Sequence, residues 1–265
     1  MPLSDARDDR HIDGPIPFAA LASDPVRLRA WLDRQDAAGA GWDDKAAAAS
    51  LVGRMGWDWV CAAATQHLGA ERAAIDGGIA ADTLHLVAAH WLSSDAAPYP
   101  MLTCRVTLAG PRIETSRALG QRYVAAFAPL IAQVGILTGL PPTAQWRLLA
   151  DALHTGCLAV GRDLGCIDAA MDLARAGLIA AGAPLWNRQV HYRHLSATRA
   201  DGTTASDWFT FRGGCCRHYT TPGRATYSTC VLRCDDDRAA RLERWLQDQP
   251  QRSDQQLPVP LAATR

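Results

Sequence analysis

Four cysteines fall between Arg212 and Cys234: Cys215 and Cys216 are adjacent, and Cys230 and Cys234 follow after intervals of thirteen and three residues. Together they supply a complete four-thiolate ligand set, and three occupants compete for it. Structural zinc takes thiolates in short knuckles at each end of a tetrahedron; the second pair could serve, but a vicinal first pair is unusual there. A 2Fe-2S cluster also takes four thiolates, and two neighbouring residues, projecting in different directions, suit it better than one tight tetrahedron. A 4Fe-4S cluster stays open. The alternative to any occupant is a set of unligated thiols, or a vicinal disulfide at Cys215-Cys216. A Rieske centre is set aside, because Cys216-Arg217-His218 has no matching Cys and His pair after it. Gly213 and Gly214 are expected to let the backbone pass close to a cluster and aim N–H groups at its sulfurs. A turn at Pro222-Gly223 would fold the two cysteine pairs together. A helix after Cys234 would bring its positive end to an anionic cluster, with Asp235, Asp236 and Asp237 sharing that end.

The charge pattern narrows the partners. Lysine plus arginine and aspartate plus glutamate number 27 each, so the chain is formally neutral and nothing in the balance points to nucleic acid. The stretch from Trp186 to Cys234, however, carries Arg188, Arg193, Arg199, Arg212, Arg217, Arg224 and Arg233 against Asp201 and Asp207, a formal +5. Such a segment is a candidate docking surface for an anionic complex or an acidic electron donor. Arg212 and Arg217 flank the vicinal cysteines and come first as substrate-binding candidates, followed by His218, Tyr219 and Trp208. His191 and His194, on a strand or turn, would point to opposite faces; His85, His90 and His154 have no companion ligands. No nucleotide-binding glycine loop and no hydrolase signature occurs.

The run Arg212-Gly-Gly-Cys-Cys, a tyrosine and a Pro-Gly downstream, and a closing cysteine pair before a terminal helix resemble the ferric-siderophore reductases of the FhuF type. Those proteins end in Cys-Cys-x10-Cys-x2-Cys; this chain has x13 and x3 in the same places. The resemblance covers about Arg212 to Cys234. It implies an oxidoreductase that releases iron by one-electron reduction of Fe(III) to Fe(II), with a 2Fe-2S cofactor on Cys215, Cys216, Cys230 and Cys234. It further implies a ferric siderophore as substrate and an external electron donor, a ferredoxin or a flavin reductase. Two other readings stay beside it: a binding or scaffold protein stabilised by zinc, and an iron-sulfur electron carrier or redox sensor with no siderophore site.

The elements that must position these residues are mostly helical. Hydrophobic residues make up 48% of the 265, ordinary for a globular chain. Helical spacing predicts helices over Pro25 to Asp36, Lys45 to Ala70 and Ala81 to Leu92. A strand is expected over Met101 to Leu108. The segment Thr115 to Leu137 reads as a helix kinked or divided at Pro129, and the next helix, with Thr143 as its N-cap, stripes Trp146, Leu149, Leu153 and Cys157 on one face. Ile167, Met171, Ala174 and Leu178 form a similar stripe. Cys61, Cys104, Cys157 and Cys166 are read as core thiols. Val190 to Leu195 and Asp207 to Phe211 read as strands, with Asp201-Gly202 as a turn between them, and Asp235 to Leu246 as a last helix. The fold class expected is α+β: a mainly helical domain over 1–185 that shapes the siderophore pocket, a small β-containing iron-sulfur domain over 186–248, and a flexible tail over 249–265. The charged N-terminus has no secretory signal and no stretch suits a transmembrane segment, which together predict a cytoplasmic protein. In a reducing cytosol clustered cysteines favour metal binding over a disulfide framework.

Overall fold

The structure is a computed structural model that describes residues 16–39, 41–69, 83–91, 99–108, 113, 115–221 and 226–249. In chain order the elements are β1 (Ile16–Pro17), α1 (Phe18–Ser23), α2 (Pro25–Gly39), α3 (Asp44–Leu68), β2 (Thr83–Trp91), β3 (Tyr99–Thr107), α4 (Ser116–Thr138), α5 (Pro142–Leu164), α6 (Ile167–Ala181), β4 (His191–Thr198), β5 (Thr204–Phe211), a short 3-10 turn (His218–Thr220) and α7 (Asp235–Asp248). The fold is α+β and mainly helical in its N-terminal part. None of its described helices is long and apolar enough to cross a membrane.

Side-chain caps start two of the long helices. The Asp43 carboxylate accepts the Ala46 N–H at 2.6 Å at the head of α3, and the Thr115 hydroxyl accepts the Ala118 N–H at 3.1 Å at the head of α4. Helix α5 begins differently from expectation. Pro141 holds the N-cap position and Pro142 the first turn, where a missing N–H costs nothing, so Thr143 lies inside the helix and does not cap it. Gly139 and Gly165 end α4 and α5 in the left-handed conformation, with φ of 68° and 71°. Helix α4 runs through Pro129 as one element.

Helices α3, α4, α5 and α6 enclose the main core. Trp59, Tyr123 and Phe127 are fully buried there, with ring centroids 5.0 Å apart for Trp59 and Tyr123 and 4.9 Å for Tyr123 and Phe127. The same core takes in Leu185, Val190 and Tyr192 from beyond α6. A second, smaller cluster joins Leu195, Ala197, Ala205 and Phe211 of the β4–β5 hairpin to Ala239, Leu242 and Leu246 of α7. The hairpin is antiparallel, from His191 opposite Phe211 to Thr198 opposite Thr204, with Asp201 and Gly202 in its connection.

One element differs in type from the sequence reading. Residues 83–91 form a strand and not the helix expected over Ala81 to Leu92. Leu84 and Leu86 recur at period two, and β3 supplies a full-length antiparallel partner, from Thr83 opposite Thr107 to Trp91 opposite Tyr99. Nine consecutive backbone pairings outweigh the helical preference of the two central alanines. The expected Pro222-Gly223 turn, the tail beyond Gln249 and the side chain of Cys104 lie outside the described residues.

Candidate metal centre

Strand β5 ends at Phe211, and the next three residues are gripped by helix α5. Asp151, buried within that helix, accepts the Gly213 N–H on Oδ1 and the Gly214 N–H on Oδ2, both at 2.8 Å, and the Arg212 Nε–H at 3.3 Å. Hydrogen bonds to a carboxylate are among the stronger ones, and these fix both peptide planes immediately before Cys215. The glycines are there because of closeness. A Cβ on Gly214 would lie 2.9 Å from the Arg147 carbonyl carbon, the Leu148 nitrogen and Asp151 Oδ2, and one on Gly213 would lie 2.6 Å from Asn187 Nδ2. This corrects the expectation for the pair: their N–H groups are committed to Asp151, not to sulfur, and their close approach is to α5 and Asn187. From the other side, Arg238 of α7 donates to the Arg212 carbonyl at 3.0 Å and lies over the Phe211 ring at 5.0 Å.

The electrostatics of this grip are mutual. Burial raises the Asp151 pKa above the ordinary carboxylate value, opposed by the Arg212 charge and the two glycine N–H groups. Burial works to lower the Arg212 pKa, but the charges of Cys216 and Asp151 and hydrogen bonds to both outweigh it, so the guanidinium is held more firmly protonated than usual. Arg212 therefore pairs with a buried carboxylate while lining the same hollow as Cys216. The sequence signal for Asp151 is its place as the one acid in α5 before Asp163, in an otherwise apolar run.

Cys215 and Cys216 follow, both partly buried. Arg217 takes the left-handed conformation at φ 57° and donates to Asp43 Oδ2 at 2.6 Å, tying the loop to the head of α3. His218 is buried; its Nδ1 lies 3.1 Å from the Tyr227 hydroxyl and its ring stacks on Tyr227 with centroids 4.1 Å apart. Cys230 lies in a run of turns: its N–H donates to the Tyr227 carbonyl and its carbonyl accepts the Arg233 N–H, both at 3.1 Å. Cys215, Cys216 and Cys230 line one hollow, which they share with Arg212, Arg217, His218 and Tyr219.

Two of the sequence candidates stand outside the hollow's lining. Cys234 is exposed at the N-cap position of α7, with Asp235, Asp236 and Asp237 in the first turn as expected. Trp208 is on β5 with its ring 5.1 Å from that of His194, its N–H bonded to its neighbour Asp207 at 2.8 Å and its carbonyl accepting from Arg162. Among the described residues no three His, Cys, Asp or Glu side chains form a group that could hold a metal ion. In donor type alone the four thiols match what an iron-sulfur group takes; three of them line one hollow, and Cys234 stands outside its lining.

The arginine-rich segment is less free than its formal charge implies. Arg212, Arg217 and Arg233 pair with Asp151, Asp43 and Asp237, and Arg199 donates to the Gln249 carbonyl at 3.1 Å. The remaining thiols differ from the cluster. Burial pushes the Cys157 thiol up to about 12 and Cys61 well above its ordinary value, which disfavours the reactive thiolate at both. Cys166 is partly buried at the N-cap position of α6. His154 is buried, with Nδ1 3.1 Å from the Ala150 carbonyl, and burial holds its pKa down at about 4.

No family model matches the chain, and neither does any curated protein or solved structure.

Proposed function

We propose that the chain is a cytoplasmic ferric-siderophore reductase whose 2Fe-2S cluster is held by Cys215, Cys216, Cys230 and Cys234. The observation that carries this reading is that Cys215, Cys216 and Cys230 line one hollow, with the residues just before the vicinal pair anchored by a buried carboxylate. Such a cluster, when bound, supplies one electron at a time, which is what Fe(III) in an oxygen-ligand chelate needs to become weakly held Fe(II); a ferredoxin or flavin reductase returns the electron. The chain's own residues do the rest. Asp151 and Asp43 hold the loop on α5 and α3, Arg212 brings a positive charge to the hollow that Cys216 lines, and Tyr219 and Tyr227, 44% and 42% exposed, leave aromatic surface beside the hollow for a ferric complex.

Anaerobic purification followed by visible absorption and iron, sulfide and zinc analysis of one sample tests the reading. Two irons and two sulfides per chain, with bands that bleach under reductant and return with a ferric siderophore, are the expected result. A colourless protein with one zinc supports a structural knuckle instead, and coloured protein indifferent to ferric chelates supports an electron carrier or sensor.

A further inference from the structure

We infer that Asp151 is a positioning residue for the cysteine ligands, and that its pairing with Arg212 sets how strongly a positive charge acts on the metal group held through Cys216. The inference rests on the iron-sulfur reading for its second half; its first half stands on this chain alone.

A carboxylate inside an apolar helix face is expensive unless every lone pair is used. Asp151 uses both oxygens on one short stretch: Gly213 N–H at 2.8 Å, Gly214 N–H at 2.8 Å and Arg212 Nε–H at 3.3 Å. The guanidinium so held also donates to the Gly214 carbonyl at 3.4 Å and lines the same hollow as Cys216. Backbone geometry and local charge at the first ligand pair are thus governed by one side chain 61 positions before Arg212. Hydrogen bonds and charges near cluster sulfurs are among the levers that tune such centres.

The two members of the pair have opposite signs, which separates tuning from scaffolding. Asp151→Asn leaves the Arg212 charge uncompensated beside Cys216, stabilises the electron-rich state and moves the reduction potential to more positive values. Arg212→Gln removes that positive charge from the hollow and moves the potential to more negative values. A shift of roughly tenfold in the reduced-to-oxidised ratio is expected in each case, which for a one-electron couple is about 59 mV. A residue that merely braces the loop would move both variants the same way, or neither.

The full-length chain is tested in two forms. In the metal-free chain, hydrogen exchange at the Gly213 and Gly214 amides should be slow and should accelerate at least tenfold in Asp151→Ala while the amides of α6 keep their protection. Fast exchange at those two amides in the unaltered chain overturns the clamp. In the cluster-loaded chain, mediated redox titration of Asp151→Asn and Arg212→Gln should give shifts of opposite sign; shifts of the same sign, or none, overturn the tuning role. A chain that takes up no cluster refutes the iron-sulfur reading and the tuning role with it, while the exchange measurement still decides the clamp.

Discussion

Replacing Gly214 by alanine places one methyl group where helix α5 already is. The new Cβ would meet the Arg147 carbonyl carbon, the Leu148 nitrogen and Asp151 Oδ2, each at 2.9 Å. Two of these atoms are helix backbone and cannot rotate away, so the loop must lift. Overpacking of this kind costs about 1–3 kcal/mol. Lifting also lengthens the 2.8 Å bond from Gly214 N–H to Asp151, and a hydrogen bond to a charged group contributes about 1.5–3 kcal/mol. Because the loop can relieve strain only by sacrificing that bond, the two costs overlap, and about 3 kcal/mol is expected in total. For a chain of this size a change of 1 kcal/mol moves Tm by roughly 2–4 °C, so the metal-free variant should melt about 6–12 °C below the parent in scanning calorimetry. The internal control is Gly53→Ala, in the middle of α3 with nothing within 4 Å of the added carbon; it should stabilise by about 0.5–1 kcal/mol through the backbone alone. A Gly214→Ala melting point within about 2 °C of the parent, or an equal loss in Gly53→Ala, refutes the close approach of the cysteine loop to α5.

Four further outcomes are expected. His154 has its folded pKa held down at about 4 from 6.5 by burial, so the unfolded chain takes up a proton first as pH falls. Stability is complete above about pH 6.5 and declines by roughly 1.4 kcal/mol per pH unit toward pH 4; His154→Gln should flatten this part of a urea-denaturation profile, and an unchanged slope contradicts it. Asp43→Ala removes both the α3 cap and the Arg217 pair and should cost about 1–2 kcal/mol, whereas Arg217→Ala, breaking a pair that solvent partly screens, should cost under about 1 kcal/mol; chemical denaturation ranks them. Serine at Cys215, Cys216, Cys230 or Cys234 should lose or alter the visible spectrum of the anaerobic protein, while serine at Cys61, Cys104, Cys157 or Cys166 should leave it unchanged; equal losses in the second set overturn the ligand assignment. Removing the metal with a chelator should bleach the protein yet leave the far-UV circular dichroism of the helices in place, because the main core is built from α3 to α6; loss of helical signal would count for a structural zinc knuckle.

Much of the scaffold could be read from local pattern. The stripe Trp146, Leu149, Leu153 and Cys157 is buried in α5 as its spacing demands, and the Asp201-Gly202 connection closes the hairpin where expected. The helix expected over Ala81 to Leu92 follows from Leu84, Val87 and Trp91 at near-helical spacing, while the partner that decides the matter, β3, pairs along the full length of the segment. The site divides along the same line. Four cysteines within twenty residues read as a candidate ligand set, and Arg212, Arg217, His218 and Tyr219 line the same hollow as Cys215, Cys216 and Cys230. What holds them is encoded far away: nothing beside Gly213 and Gly214 shows that Asp151 will take their N–H groups, and nothing beside Arg217 shows that Asp43 will take its charge. Trp208 lies close to the cysteines in sequence but on a strand, whose alternation sends it elsewhere.

The ties of Gly214 to Asp151 and of Arg217 to Asp43 span 63 and 174 positions, which makes the cysteine motif non-portable. A peptide cut from 212–234 would keep all four thiols and lose both carboxylates that shape them, leaving a floppy chelator for any soft metal. Contacts of such long span also close late, once the helices that carry Asp43 and Asp151 have assembled. On the proposed reading, a metal group would meet a loop shaped by the rest of the protein, and selection among metals would follow that shape more than the string of cysteines.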